Sequence, residues 1–239
     1  MPFRALFHIH TRRSVDSLLS PARILAAARK HRVDVLIITD HETIAGSRDI
    51  CQLAHGNPRF VPLAGEFKTE KGDIVGIFLQ EEVHPGSADE VITQIHNQGG
   101  LVVLPHPARS RKIDEYLLKQ VDLIEVHNAR CSPADNQSAE ELASRLQVPS
   151  LAGADAHCAG ELPAALNLFS EDLPEKESDL RDHFLHAPRR MLTQRVSGVY
   201  RPYSQMIKAV KTRDPLLFLY QSKRLALTCI HELRRQAPR

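Results

Sequence analysis

The sequence has no paired cysteines, no apolar leader and no hydrophobic run of membrane length. Its four cysteines, Cys51, Cys131, Cys158 and Cys229, show no Cys-x-x-Cys spacing. They therefore point to free thiols in a reducing compartment rather than to a disulfide framework. The chain opens on a strand-like segment instead of a charged and then apolar leader, and no stretch approaches the ~20 apolar residues that span a bilayer. The expectation is a soluble cytoplasmic protein without a membrane partner. Internal repeats and low-complexity tracts are also lacking. At 239 residues and 42% hydrophobic content, the chain suits one α/β barrel-sized domain or two small ones. The net charge of +2 hides an asymmetry, because residues 201–239 carry nine Lys/Arg against Asp214 and Glu232, a tail of about +7.

What is present is an alternation of short apolar segments with helical ones. Strands are expected at Phe3–Ile9, Val33–Thr39, Phe60–Ala64, Ile74–Leu79, Leu101–Leu104, Leu123–His127 and Ser150–Gly153. Continuous apolar runs such as Val33–Thr39 imply burial on both faces, as in a parallel sheet. Between them, Ser20-Pro21 opens a helix through an N-cap and a proline at the first helical position. Further helices are expected at Ser87–Asn97, Asp114–Lys119 and Pro133–Arg145. Strand and helix in alternation predict an α/β fold with its chemistry at the carboxyl ends of the strands. Glu171–Ser178 reads as a surface connection. Ser204–Arg213 and Pro215–Gln236 read as two helices, with Leu216, Leu219, Leu225, Leu227, Ile230 and Leu233 available for packing.

Imidazoles and carboxylates recur where those strands end: His8 and His10, Asp40-His41, Glu66, His106, then Asp155 and His157. Residues at i and i+2 on a strand face the same side, so His8 with His10, and Asp155 with His157, can grip a common ion. Nitrogen donors mixed with carboxylates suit zinc, iron or manganese rather than calcium. A single histidine near a strand end is ordinarily a satisfied polar residue, and each motif alone would be weak. His31, His55, His96, His183, His186 and His231 fall on helical or surface stretches and read as structural. His84 is a spare ligand at most, and His127 reads as a pocket or core residue.

The order His8-Ile9-His10, Asp16, Thr39-Asp40-His41-Glu42, Gly65-Glu66, Pro105-His106-Pro107 and Ala154-Asp155-Ala156-His157 resembles the polymerase and histidinol phosphatase (PHP) family of metallohydrolases over about residues 1–195. The resemblance implies a distorted (β/α)7 barrel, with the metal site at the carboxyl ends of its strands, and the pattern beyond it reads as a basic helical extension at 196–239 packed on that barrel. It implies two or three divalent ions (Mn, Zn or Fe). His8, His10, Glu66 and Asp155 would hold one ion, Glu66 would bridge to a second that His106 also binds, and Asp16, His41 and His157 would hold the third. Relatives commonly place a histidine where this chain has Asp73. A carboxylate ligand there would favour oxygen-preferring ions such as manganese or magnesium.

The activity implied is hydrolysis of a phosphate ester by metal-activated water, with Glu66, Asp155 and His157 as the catalytic set. Arg130 is the preferred phosphate clamp, with Arg109 and then Arg111 behind it, since a guanidinium bonds phosphate bidentately. Cys158 has no base at suitable spacing and reads as packing. The short chain between His106 and Glu125 leaves no room for a helical lid. The substrate would be a nucleotide, an oligonucleotide end or a small phosphomonoester. The alternative is a non-catalytic, metal-stabilised accessory module binding nucleic acid or a protein. Oligomeric state is not legible. For the basic tail, packing of its leucines is favoured over steering of a polyanion.

Overall fold

The computed structural model describes residues 2–109 and 114–236. Among these residues, nine strands fall into two sheets, ordered β2-β1-β8-β9 and β3-β4-β5-β6-β7. The first sheet comprises β1 (Pro2–Ile9), β2 (Val35–Ile38), β8 (Ala165–Asp172) and β9 (Arg189–Thr193). The second comprises β3 (Ala64–Thr69), β4 (Gly72–Ile77), β5 (Leu101–Leu104), β6 (Leu123–Asn128) and β7 (Ser150–Gly153). Helices α1 (Pro21–Lys30), α2 (Ala45–Ala54), α3 (Ala88–Asn97), α4 (Glu115–Leu118), α5 (Pro133–Leu146), α6 (Glu177–His186), α7 (Tyr200–Thr212) and α8 (Pro215–Gln236) complete the chain.

The α/β class holds, but among the described residues the ladders do not close one barrel. The sheets meet through short links: an isolated parallel bridge joins Ile9 to Ala156, and others join Val35 to Phe60 and His41 to Glu66. The plain strand-helix alternation also fails at β3–β4. Thr69 and Gly72 face each other across a tight hairpin, whose Gly72 sits at φ +130°, so no crossover helix separates the strands. Phe60–Ala64 supplies only a bridge, and β3 begins at Ala64. Glu66 is consequently the third residue of a strand rather than a residue at its end. Strands β8 and β9 and helix α2 are further elements that the sequence reading missed.

Alternation along the strands sorts the core. Ala5, Phe7, Val35, Ile37, Val75, Ile77, Val103, Leu123, Leu151 and Phe169 come from both sheets and meet in one buried cluster. Opposite-facing residues pack under helices: Leu36 and Ile38 with Ile24 of α1, and Val102 and Ile124 with Ile92 of α3. Each fully buried Ile, Leu or Phe contributes about 1.5–3 kcal/mol. Ser87 and Glu90 form a reciprocal capping box on α3, and Ser132 with Asp135 does the same for α5, whose first residue is Pro133. These caps satisfy amides that the first helical turn leaves without partners.

Helix α7 buries Pro202, Ser204, Ile207 and Ala209. Helix α8 corrects the sequence reading: Leu216, Leu219, Leu227, Ile230 and Leu233 are 47–77% exposed, and Leu225 is half-buried. A Leu219→Asp or Leu227→Asp change therefore removes no core packing, contrary to the expectation that these leucines are buried. No helix among the described residues is long and apolar enough to cross a membrane.

Candidate metal centre

The site assembles where β1, β2, β5, β6 and β7 end beside Glu66 of β3. The backbone is bent to achieve this. His8, His106 and Asp155 take positive φ (+67°, +29° and +48°), a conformation costing about 1–2 kcal/mol for a residue bearing Cβ. Pairing of β1 with β2 shifts register between Leu6 and Ile9. His8 and His10 thus converge through an irregularity, not through regular i, i+2 alternation. Their Nε2 atoms both lie 3.4 Å from Glu66 Oε2, and 3.8 and 3.6 Å from Asp155 Oδ1. His41 Nδ1 lies 3.2 Å from Glu66 Oε2, and His106 Nε2 lies 3.1 Å from Glu66 Oε1. Asp16 Oδ2 stands 3.2 Å from His157 Nε2 and 3.6 Å from His41 Nε2. All of these residues are buried except His41, whose side chain is 32% exposed.

Ligand atoms gather in three tight groups: His8–His10–Asp155, His8–Glu66–His106 and His10–His41–His157, with every atom of a group within 4.8 Å of the others. Asp73 belongs to none of the three. It lines the cleft above them, and burial, then the Glu66 charge, raise its pKa.

A set of acceptors fixes which histidine nitrogen points into the centre. Glu125 Oε1 lies 2.7 Å from His8 Nδ1, and the same carboxylate accepts from the His106 amide and Asn128 Nδ2. It acts as an acceptor, so His8 carries its proton on Nδ1 and presents Nε2. His157 Nδ1 faces the Asp155 carbonyl at 2.9 Å, with the same consequence. Ser14 donates its hydroxyl to Asp40 Oδ1 at 2.6 Å and accepts from the His41 amide, which leaves a lone pair for His10 Nδ1–H at 3.2 Å. Asp40 also receives the Thr11 and Ser14 amides and the Thr11 hydroxyl. Orienting bonds of this kind characterise metal-binding histidines. Glycine is required beside both supporting carboxylates, because a Cβ on Gly153 would overlap Glu125 Oε1 and one on Gly46 would overlap Asp40 Oδ2.

The electrostatics suit a cation. Burial alone would raise the pKa values of Glu66 and Asp155, yet His8 with His41, and His8 with Arg109, outweigh it and hold both carboxylates well below their usual range. Burial would lower His41, but Glu66 and Asp16 prevail and raise it to about 11. Burial, then His157 and His41, lowers His10 to about 3. His8 Nε2, His10 Nε2 and Asp16 Oδ1 are buried without hydrogen-bond partners. Orphaned polar atoms at such a centre are costly unless something else satisfies them, and this donor set fits divalent ions.

The arginines behave differently from the sequence reading. Arg130, the expected phosphate clamp, lines the cleft with its hydrogen bonds directed inward: Nε and Nη2 bind the two oxygens of Glu161 at 2.6 and 2.9 Å, and Nη1 binds Ser204 Oγ at 3.2 Å. Arg109 binds Asp155 Oδ2 at 2.9 Å and Asn128 Oδ1 at 3.2 Å while still lining the cleft. Arg111 lies outside the described residues. Burial, then Glu161, pushes the Cys158 thiol up to about 12, so its thiolate is scarce at neutral pH. His127 bonds Asn136 through Nδ1 and joins no ligand group.

Sequence reasoning missed Glu125, Asn128, Glu161 and Lys211. Glu125 did have a signal, as the one charge inside the apolar run Leu123–Val126. Lys211 had none. Its ammonium donates to the carbonyls of Arg12, Ser14 and Ser17 at 3.0, 2.6 and 2.8 Å, pinning the loop that carries Ser14 and Asp16. Lys211→Met keeps the aliphatic stem and removes all three bonds. It is expected to weaken divalent-ion binding by about tenfold or more, as loss of outer-shell support does elsewhere. Calorimetric titration of the metal-depleted chain checks this, and unchanged affinity would show that the loop holds without Lys211.

A PHP-associated family profile matches residues 133–187. Two uncharacterised proteins of Methanocaldococcus jannaschii are similar: MJ1587 at 37% identity over 115 residues (44% of this chain, 67% of that one), and MJ0417 at 35% over 128 residues (48% and 54%). Among solved structures, a two-domain protein of Bacteroides vulgatus containing a predicted PHP-like metal-dependent phosphoesterase superposes with a TM-score of 0.66 at 14% identity, covering 81% of this chain and 65% of that one. The chain thus spans about two thirds or less of the length of each of these proteins. With the ordered ligand motifs, the profile match and the shared fold together, the chain belongs to the PHP family.

Proposed function

We propose that the chain is a metal-dependent hydrolase of phosphate esters. The observation that carries this reading is the convergence of four histidines, His8, His10, His41 and His106, on the one buried carboxylate of Glu66. Two or three divalent ions (Mn, Zn or Fe) would be held by His8, His10, Glu66, His106 and Asp155, and by Asp16, His41 and His157, with Asp73 at the margin. Bound there, such ions lower the pKa of water into the neutral range and neutralise phosphate oxygens.

The chain's own residues prepare that chemistry. Glu125, Ser14 and the Asp155 carbonyl keep protons on the Nδ1 atoms of His8, His10 and His157, so each Nε2 is available as a donor. Arg109 and Asn128 take Asp155 Oδ2 and leave Oδ1 facing the histidine pair. The cleft, about 480 Å³, opens directly over Glu66, Asp155 and His157, and its volume admits a nucleotide, a sugar phosphate or an oligonucleotide end.

Metal-depleted protein reconstituted with Mn, Zn or Fe, assayed against phosphomonoesters, cyclic nucleotides and short oligonucleotides, is expected to turn over at least one class and to lose that turnover on chelation. Fully loaded protein inert towards the whole panel would instead indicate an accessory module. Metal uptake should also release protons. His41, raised to about 11 without metal, is protonated at pH 7 and must lose its proton to ligate, so apparent affinity rises with pH across the neutral range. Its ion pairing in the metal-free chain is a stabilising contribution present in full below the unfolded pKa near 6.5 and lost as pH rises towards about 11.

A further inference from the structure

Helix α7 forms one wall of the cleft and contributes Arg201, Gln205 and Lys208 to it. These positions are spaced i, i+4 and i+7, so they share one helical face and span about 10 Å. The helix is anchored from both sides of the stripe, by Ser204 accepting from Arg130 and by Lys211 on the carbonyls of residues 12, 14 and 17. Lys68, next to the hairpin on β3, lines the same cleft.

The cations divide into two sets. Arg109 and Arg130 are committed to Asp155 and Glu161. Among the described residues, neither Arg201, Lys208 nor Lys68 has a carboxylate at ion-pair distance, although several acids line the cleft floor. Burial, then repulsion from Arg109, lowers the Arg201 pKa, and Asp155 offsets this only in part. A lone phosphoryl group held at the metal centre leaves such a stripe unused.

We propose that Arg201, Gln205 and Lys208 of α7, with Lys68 opposite, form a second anion subsite that receives a phosphoryl group of the substrate other than the scissile one. The site then selects doubly phosphorylated molecules over singly phosphorylated ones. This rests on the phosphoester-hydrolase reading for the scissile group, but the subsite itself is a binding property. It also places the functional part of the basic tail on α7, not among the charges of α8.

The test compares matched pairs on the metal-loaded full chain: fructose 6-phosphate with fructose 1,6-bisphosphate, and thymidine 5′-monophosphate with the 5′-phosphorylated dinucleotide pTpT. Dissociation constants and kcat/KM are both measured. In at least one pair the doubly phosphorylated member is expected to be preferred about tenfold or more, as charge-assisted bonds to phosphate allow. The pair showing the preference tells whether the second phosphate sits on a small scaffold or on a nucleic-acid chain. The preference should shrink as ionic strength rises, a readout independent of any variant, and should fall towards unity in the Arg201→Met/Lys208→Met double variant. Equal binding within both pairs would overturn the subsite, as would a double variant that retains the full preference. A binding preference without turnover of any pair member would instead sink the hydrolase reading and leave the subsite standing.

Discussion

Glu66→Gln is expected to abolish metal-dependent turnover, by on the order of a thousandfold or more, and to lower bound metal while leaving the chain folded. The substitution keeps the volume and one acceptor but removes the negative charge on which His8, His10, His41 and His106 converge at 3.1–3.4 Å. A carboxylate can bridge two cations through its two oxygens. A carboxamide offers one good donor oxygen and an NH2 group that repels a cation. Ions held there would supply several kcal/mol of charge stabilisation to a phosphoryl group, and each 1.36 kcal/mol is tenfold in rate. The fold should survive because Glu66 belongs to none of the buried hydrophobic clusters, and its strand remains paired from Ala64 to Thr69. Elemental analysis, far-UV circular dichroism and the phosphoester panel check this together. Wild-type metal content with wild-type turnover would show that Glu66 is not the hub of the site.

The candidate ligands other than Asp16 are legible because each imidazole or carboxylate interrupts or follows an apolar run, and apolar runs are what a sequence displays most openly. Their supports are not. Glu125 lies 117 residues from His8 and Glu161 lies 31 from Arg130, and nothing local announces that either pair will meet. The β3–β4 hairpin shows a different failure. Lys71-Gly72-Asp73 has the composition of a turn, yet the strand expected before it is Phe60–Ala64, because that segment is apolar while Glu66-Phe67-Lys68 is not. The strand that carries the candidate metal hub must include a charge, and hydrophobicity alone steers away from it.

Arg130 and helix α8 fail for one shared reason. Composition and spacing say which groups lie on the same face, but not what covers that face. A strand-end arginine is a natural phosphate ligand until Glu161 is found against it. The leucines of α8 recur at helical spacing, and four of them, with Ile230, nevertheless face outward. By contrast α7, with fewer large apolar residues, is the helix that docks. Its Ser204, 0% exposed, and Lys211 tie it to elements that the sequence gives no reason to connect with it.

The largest loss of stability is expected from Glu161→Ala, at about 3–5 kcal/mol, the range for removing one partner of a buried ion pair. Glu161 is 0% exposed. Its Oε1 binds Arg130 Nε at 2.6 Å, and its Oε2 receives Arg130 Nη2 together with the amides of His157 and Cys158 at 2.9–3.0 Å. Truncation strands a guanidinium whose side chain is 6% exposed and leaves two amides without acceptors. For a chain of this size the loss corresponds to a melting point lower by roughly 6–20 °C. The His157 amide sits beside a candidate ligand, so metal affinity should fall alongside stability. Replacing both partners, Arg130→Met with Glu161→Met, removes the charge and its counter-charge together and should recover much of the difference, since paired ions and apolar side chains of similar volume are often equivalent in a core. The double-variant cycle by urea denaturation separates the terms. If Glu161→Ala costs under about 1 kcal/mol, the pair is solvated in solution and α7 is held by Lys211 and its apolar face alone.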